Sequence, residues 1–159
     1  MRRTCIHEHE DMRDDGQDRA AAPAALEELT RDECLALLAA NCVGRIAVVT
    51  QDNMPFVVPV NYQLTGEIIV FRTDAGTKFD ALQRHPIAFQ LDAIDPLHHT
   101  GWSVLVQGVA HVAAPHEVES ARVDPWAGPK QHWMQLVPRS ITGRRLRLRE
   151  EPYEPGGYL

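Results

Sequence analysis

Among the 159 residues of this chain, Lys78 is the most conspicuous candidate for chemistry. It is one of two lysines in a chain that otherwise uses arginine, and it follows Thr73-Asp-Ala-Gly-Thr77 where a helix is predicted to begin. A helix N-terminus offers unpaired amides and a partial positive charge. Gly76 would let a backbone approach a ligand closely, Thr77 would add a hydroxyl and Lys78 an ammonium, which together suit a phosphate dianion. The same residues also suit a plain helix cap with a solvated lysine. Lys130, in the Gly128-Pro-Lys-Gln131 loop, is expected to tolerate replacement by alanine with little effect on the affinity for such a ligand.

A second candidate is Phe56-Val-Val-Pro-Val-Asn-Tyr62. Pro59 cannot donate a ladder hydrogen bond, so it points to a strand edge or a bulge. Edge backbone at Val60 and Asn61, with the Asn61 amide, could read a ring that alternates donors and acceptors; a strand edge merely protected by its proline fits equally well. The third is Gly101-Trp-Ser-Val104, which sets Trp102 beside Ser103 after the Asp95–Thr100 loop, although Trp102 also suits a core or an interface. His7-Glu-His9 and His98-His99 look superficially like metal ligands. The first pair sits in a stretch without periodicity and the second has no evident carboxylate or thiolate neighbour, so no metal is expected. GxSxG, HExxH and Walker-type signatures are absent from the sequence.

The elements that must hold these residues follow from hydrophobic period. Residues 1–25 lack it and read as a disordered tail, as do 150–159 with their prolines and glycines, leaving one domain over 26–149. Thr30-Arg-Asp-Glu33 is a capping box opening a short helix to about Ala40. After Gly44 the pattern turns extended, with strands predicted at 45–50, 55–63, 67–73, 87–94, 102–113, 132–137 and 141–148. Turns at Gln51–Met54 and Thr65-Gly66 make the first three an antiparallel meander. Helices are predicted at Gly76–Arg84 and Pro115–Arg122. The fold class is mainly β with a few short helices, and a small antiparallel barrel is favoured.

Composition narrows the function. With 44% apolar and 24% charged residues the chain can bury a core without staples. A net charge of −6 argues against nucleic acid. The apolar runs are too short to span a bilayer, the N-terminus carries no apolar signal region, and a cytoplasmic address is expected. Cys5, Cys34 and Cys42 form no CxxC pair and no disulfide framework.

Val43-Gly-Arg-Ile-Ala-Val48, Pro59-Val-Asn-Tyr62, Val70-Phe-Arg-Thr73 with Gly76-Thr-Lys78, and Thr100-Gly-Trp-Ser-Val104 ending at Gly108 together resemble the pyridoxamine 5′-phosphate oxidase-like flavin-binding family, over about residues 28–148. The resemblance implies a split β-barrel homodimer with FMN at the subunit interface. It implies that Val57, Val58, Pro59, Val60, Asn61 and Tyr62 lie along the isoalloxazine and ribityl chain, that Thr73 and Lys78 hold the phosphate, and that Ser103 contacts the flavin. The oxidases' Ser-Arg-Lys phosphate run is Gly76-Thr-Lys78 here, and their arginine at the start of the flavin-facing strand is Val57, which makes Arg45 and Arg72 candidate substitutes. Their Arg-x-His substrate clamp is also missing: Gly143-Arg-Arg-Leu-Arg-Leu148 stands there, with no histidine beyond His132. Vitamin B6 oxidation is therefore not expected, and the likeness is closer to the bacterial subgroup that includes nitroimidazole-resistance proteins. The expected activity is FMN-dependent oxidation or reduction of a small molecule, with a nicotinamide cofactor as a candidate electron donor. The alternatives are a non-catalytic flavin store or sensor, and a deazaflavin reductase on the same fold. Trp102, Trp126 and Trp133 are the candidate interface aromatics.

Overall fold

The computed structural model describes residues 25–84 and 86–147, so the expectations for 1–24 and 150–159 lie outside the described residues. The elements in chain order are β1 (Ala25–Leu29), α1 (Arg31–Ala39), β2 (Val43–Val49), β3 (Pro55–Thr65), β4 (Ile68–Thr73), α2 (Thr77–Arg84), β5 (Ile87–Asp95), β6 (Thr100–Val112) and β7 (His132–Arg147), with one 3-10 turn at Pro115–Glu117. All strand pairs are antiparallel in the order β1-β7-β4-β3-β2-β5-β6, and β6 pairs again with β7. That last pairing closes β2 to β7 into a ring, a split β-barrel, with β1 added along the far end of β7.

Period-two alternation fills the ring. Ile46 and Val48 on β2, Val60 and Tyr62 on β3, Ile69 and Phe71 on β4, Phe89 and Leu91 on β5, and Val104 and Val106 on β6 are buried in one core. Helix α1 adds Cys34 and Leu38 to it. Its capping box is formed: Glu33 N–H donates to Thr30 Oγ1 at 3.3 Å and Thr30 N–H donates to Glu33 Oε2 at 2.8 Å. At the other end the Asn41 side chain donates to the Leu37 carbonyl at 2.8 Å, satisfying an acceptor the last turn leaves open. Tyr62 ties this helix to the barrel, its hydroxyl donating to Leu38 O at 2.7 Å. The β2–β3–β4 meander turns at Asn53 and Gly66, both at positive φ of about 60°.

Three elements differ from the sequence reading. Ala25–Leu29 is a strand, paired with Gly143–Arg147, so Ala25 belongs to the sheet and not to the disordered tail expected over 1–25, and no strand is expected at 26–29. The segments 132–137 and 141–148 are one strand, because β7 carries a bulge: Gly108 faces Pro138 while Gln107 faces Ser140, leaving Arg139 as the extra residue. The bulge flips the inward parity from Met134 and Leu136 to Ile141 and Gly143, which is why the apolar pattern reads as two strands. The helix foreseen at 115–122 shrinks to a single turn, and the rest of 113–131 folds across the outer face, where Val118, Ala121 and Val123 bury Val70 in a second small cluster.

Two predictions follow from this packing. A Cβ on Gly44 would overlap the Phe89 ring, and that ring is held edge-on to Tyr62 at 4.8 Å. Gly44→Ala should cost about 1–3 kcal/mol by overpacking, read from the urea midpoint, and should cost less in a Phe89→Leu background; equal costs would mean that no clash exists. The Glu33 carboxyl is held below its usual range chiefly by the Thr30 N–H. Its stabilising effect is therefore complete above the ordinary carboxylate value of about 4.3 and is lost as pH falls through the lowered one. Glu33→Gln should be less stable than wild type at neutral pH, and the difference should close in acid.

Candidate functional site

The barrel wall opens between β3 and β4. Their ladder spans Tyr62–Thr65 with Ile68–Phe71, and beyond it β4 continues against β7, while among the described residues Pro55–Asn61 pairs with β2 alone. Tyr62 N–H donates to Cys42 O, at the β2 side, so strand alternation turns the main-chain groups of Asn61, Pro59 and Val57 toward the opening. Pro59 sits where a ladder N–H would otherwise point, as expected for an edge. Side chains alternate as well. Val58, Val60 and Tyr62 belong to the barrel interior, whereas Val57, Pro59 and Asn61 face outward, Val57 with 58% of its surface exposed. The Tyr62 side chain is thus committed to α1, and burial pushes its phenol pKa up.

On the opposite bank stands the start of α2. Thr73 is fully buried, its hydroxyl donating to Asp74 O at 3.3 Å. Gly76 has φ 134°, and the space a Cβ would occupy there is open. Thr77 and Lys78 follow as the first two residues of α2, for which only the main chain is described. Phe79 stacks on His132 at 4.4 Å and sets the helix against β7.

The connection between β6 and β7 spans both banks. On the β3 side Arg122 N–H donates to Gln63 Oε1 at 2.6 Å and Trp126 N–H to Asn61 Oδ1 at 3.0 Å. On the α2 side Lys130 Nζ lies 2.8 Å from Asp74 Oδ2, and Gln131 N–H donates to Asp74 Oδ1 at 3.3 Å. Lys130 therefore stands beside the turn that precedes α2. Arg72 donates to the Lys130 carbonyl and lies 4.8 Å from the Trp133 ring centroid, with its Nε buried and unpartnered. Of the two arginines proposed to compensate for Val57, Arg72 is at this junction, while Arg45 pairs with Asp92 at 2.8 Å on the outer sheet.

Trp102 and Ser103 lie elsewhere. They sit on β6, separated from β3 by β2 and β5, which is about 14 Å at ordinary strand spacing. Trp102 packs against the barrel core and Ser103 faces outward. Trp102 lines a hollow of about 450 Å³ with Ala93, Ile94, Arg145 and Arg147, and Ser103 lines one of about 390 Å³ with Leu26, Asp92, Arg144 and Leu146. One chain does not bring these two residues to the β3 edge. Nearby, His98 does have a carboxylate neighbour: its Nδ1 is 2.7 Å from Asp95 Oδ2, and this contact holds the Asp95 carboxyl below its usual range. The pair closes a hairpin turn, and no metal-holding cluster occurs among the described residues.

The Asp74–Lys130 pair is partly exposed, so Lys130→Ala should change global stability by less than about 1 kcal/mol. It should instead speed amide exchange across 124–131; unchanged exchange there would mean that the pair does not fasten the connection.

The comparisons with known proteins agree with this architecture. An uncharacterized protein of Mycobacterium tuberculosis is 32% identical over 143 residues, covering 82% of this chain and 93% of the relative. The solved FAD binding protein from Mycobacterium smegmatis is 34% identical with a TM-score of 0.64, covering 76% of this chain and 98% of that one. A FAD-binding protein from Mesorhizobium loti, 20% identical, shares the fold with a TM-score of 0.66 over 78% of this chain and 98% of its own. The pyridoxamine 5′-phosphate oxidase family model matches residues 30–145, most of the chain, and to that family the protein belongs.

Proposed function

We propose that this chain is a flavoprotein that seats FMN in the opening between β3 and α2 and passes electrons to or from a small molecule in the cytoplasm. The observation that carries the reading is the pairing of an unpaired β-strand edge with an open helix start. Val57, Pro59 and Asn61 offer main-chain groups that suit the polar edge of an isoalloxazine. At the end of the same opening, Gly76 leaves room for an anion where the α2 amides begin. The 34% identity to a FAD-binding protein supports a flavin, and the single helix start at Gly76 suits the lone phosphate of the mononucleotide.

A bound flavin supplies the electron transfer itself. The chain contributes position and exclusion of water: β3 main-chain groups orient the ring, Gly76, Thr77 and Lys78 hold the phosphate, and no acid–base side chain is required. A homodimer completes the site in this reading. No described residue covers the outer face of the β3-β2-β5-β6 sheet, which carries exposed Val57, Leu105 and Ile94, the last at 74%. A second copy laid on that face would bring its outward-facing Ser103 toward the β3 edge, which one chain cannot do, and would cover the ring. The missing Arg-x-His clamp points to a substrate other than a vitamin B6 phosphate ester.

Lys78→Ala should weaken FMN about ten- to hundredfold, the worth of one charge-assisted hydrogen bond, and leave riboflavin affinity nearly unchanged. Equal losses for both ligands would sink the phosphate assignment. Sedimentation should give a dimer, and a monomer that holds FMN tightly would contradict the shared site. NADH oxidation with quinone or nitroaromatic acceptors tests for turnover; binding without turnover would leave a carrier or sensor.

A further inference from the structure

We propose that Trp126 is the stacking wall of this site, its indole lying against the isoalloxazine, with Asn61 acting as the residue that positions it. The inference rests on the flavin reading above. Trp126 has 75% of its surface exposed, whereas Trp133 packs beside Arg72 and Trp102 against the core. An indole left in water contributes little to a fold, yet the main chain that carries this one is fixed. Gly128 N–H donates to Pro125 O at 3.2 Å, closing a tight turn over Pro125–Gly128, with Gly128 at φ 91°. The turn is fastened to both banks of the opening, through Trp126 N–H to Asn61 Oδ1 and through Lys130 and Gln131 to Asp74.

Asn61 therefore spends its amide oxygen on the turn rather than on a ligand ring. Its main chain remains at the strand edge, and the Trp126 backbone is tied to that residue through the Asn61 side-chain oxygen. A planar ring lying along Val57–Asn61 is within a side-chain length of the indole. Aromatic stacking would then bury an indole that no other described residue covers.

The test titrates FMN, FAD and riboflavin into wild type, Trp126→Phe, Trp126→Ala, Asn61→Ala and Trp133→Phe, reading both affinity and the emission of the bound flavin. An indole in contact quenches flavin emission by electron transfer, and phenylalanine stacks without quenching. Trp126→Phe should therefore bind within a few-fold of wild type and emit several times more strongly. Trp126→Ala should lose about tenfold in affinity for all three ligands. Asn61→Ala should also brighten the bound flavin, and Trp133→Phe should leave both readouts unchanged. If wild type binds flavin but neither Trp126 variant alters affinity or emission, the stacking assignment fails alone. A loss confined to FAD would place the indole under adenine and overturn it as well. If wild type binds none of the three, the flavin reading itself falls, and this inference with it.

Discussion

The β3–β4 ladder ends at the Tyr62–Phe71 pair, and the rest of the site depends on that early end. Two strands joined by a tight turn would ordinarily pair along their full length, because unpaired N–H and C=O groups are costly once water is excluded. Pro59 removes one donor from the edge, and β4 finds another partner in His132–Leu136 of β7. The ring closes by the β6–β7 pairing, and the β3–β4 seam stays open beyond Tyr62, leaving an opening in its wall. A strand edge, a helix start and a long connection then meet at one place, although 50 or more residues separate Asn61 from Trp126 and Asp74 from Lys130 in the chain.

Packing keeps the opening from collapsing. Tyr62 stands at the last paired position and is locked twice, by its hydroxyl on Leu38 O and by its ring against Phe89, which in turn fills the space over Gly44. On the other bank, Phe79 on His132 fixes α2, while Arg72 bridges β4 to the Lys130 carbonyl. The exposed ion pairs, such as Arg31 with Glu67 at 2.7 Å, add little by comparison, since both partners are about half exposed. Rigidity at the site is a matter of buried and half-buried aromatic contacts and a few side-chain bonds to backbone, which are the interactions that fix geometry most narrowly.

Features set by local chemistry were legible in the sequence. The capping box at Thr30 and Glu33, the turns at Asn53 and Gly66, the proline edge at Pro59 and the helix after Gly76 each depend on residues within a few positions of one another. What escaped depends on partners far along the chain. Ala25–Leu29 is short and mostly exposed, and it is a strand only because β7 offers it an edge. Arg139 hides the unity of β7, since the bulge shifts the apolar alternation by one residue. His98 had its carboxylate partner three residues upstream, a spacing that a turn brings together and that a search for ligand motifs passes over. The roles of Lys130 and Trp126 follow from a connection with almost no regular structure, where period carries no signal; the one local cue was Pro125-Trp-Ala-Gly128, a turn sequence with an indole at its tip.

Native mass spectrometry of the protein equilibrated with excess FMN tests the central claim most directly, because it counts chains and flavins in the same particle. The account predicts two chains carrying two FMN, with no flavin on the residual single chains. A single chain that retains FMN, or a dimer that acquires none, would contradict it.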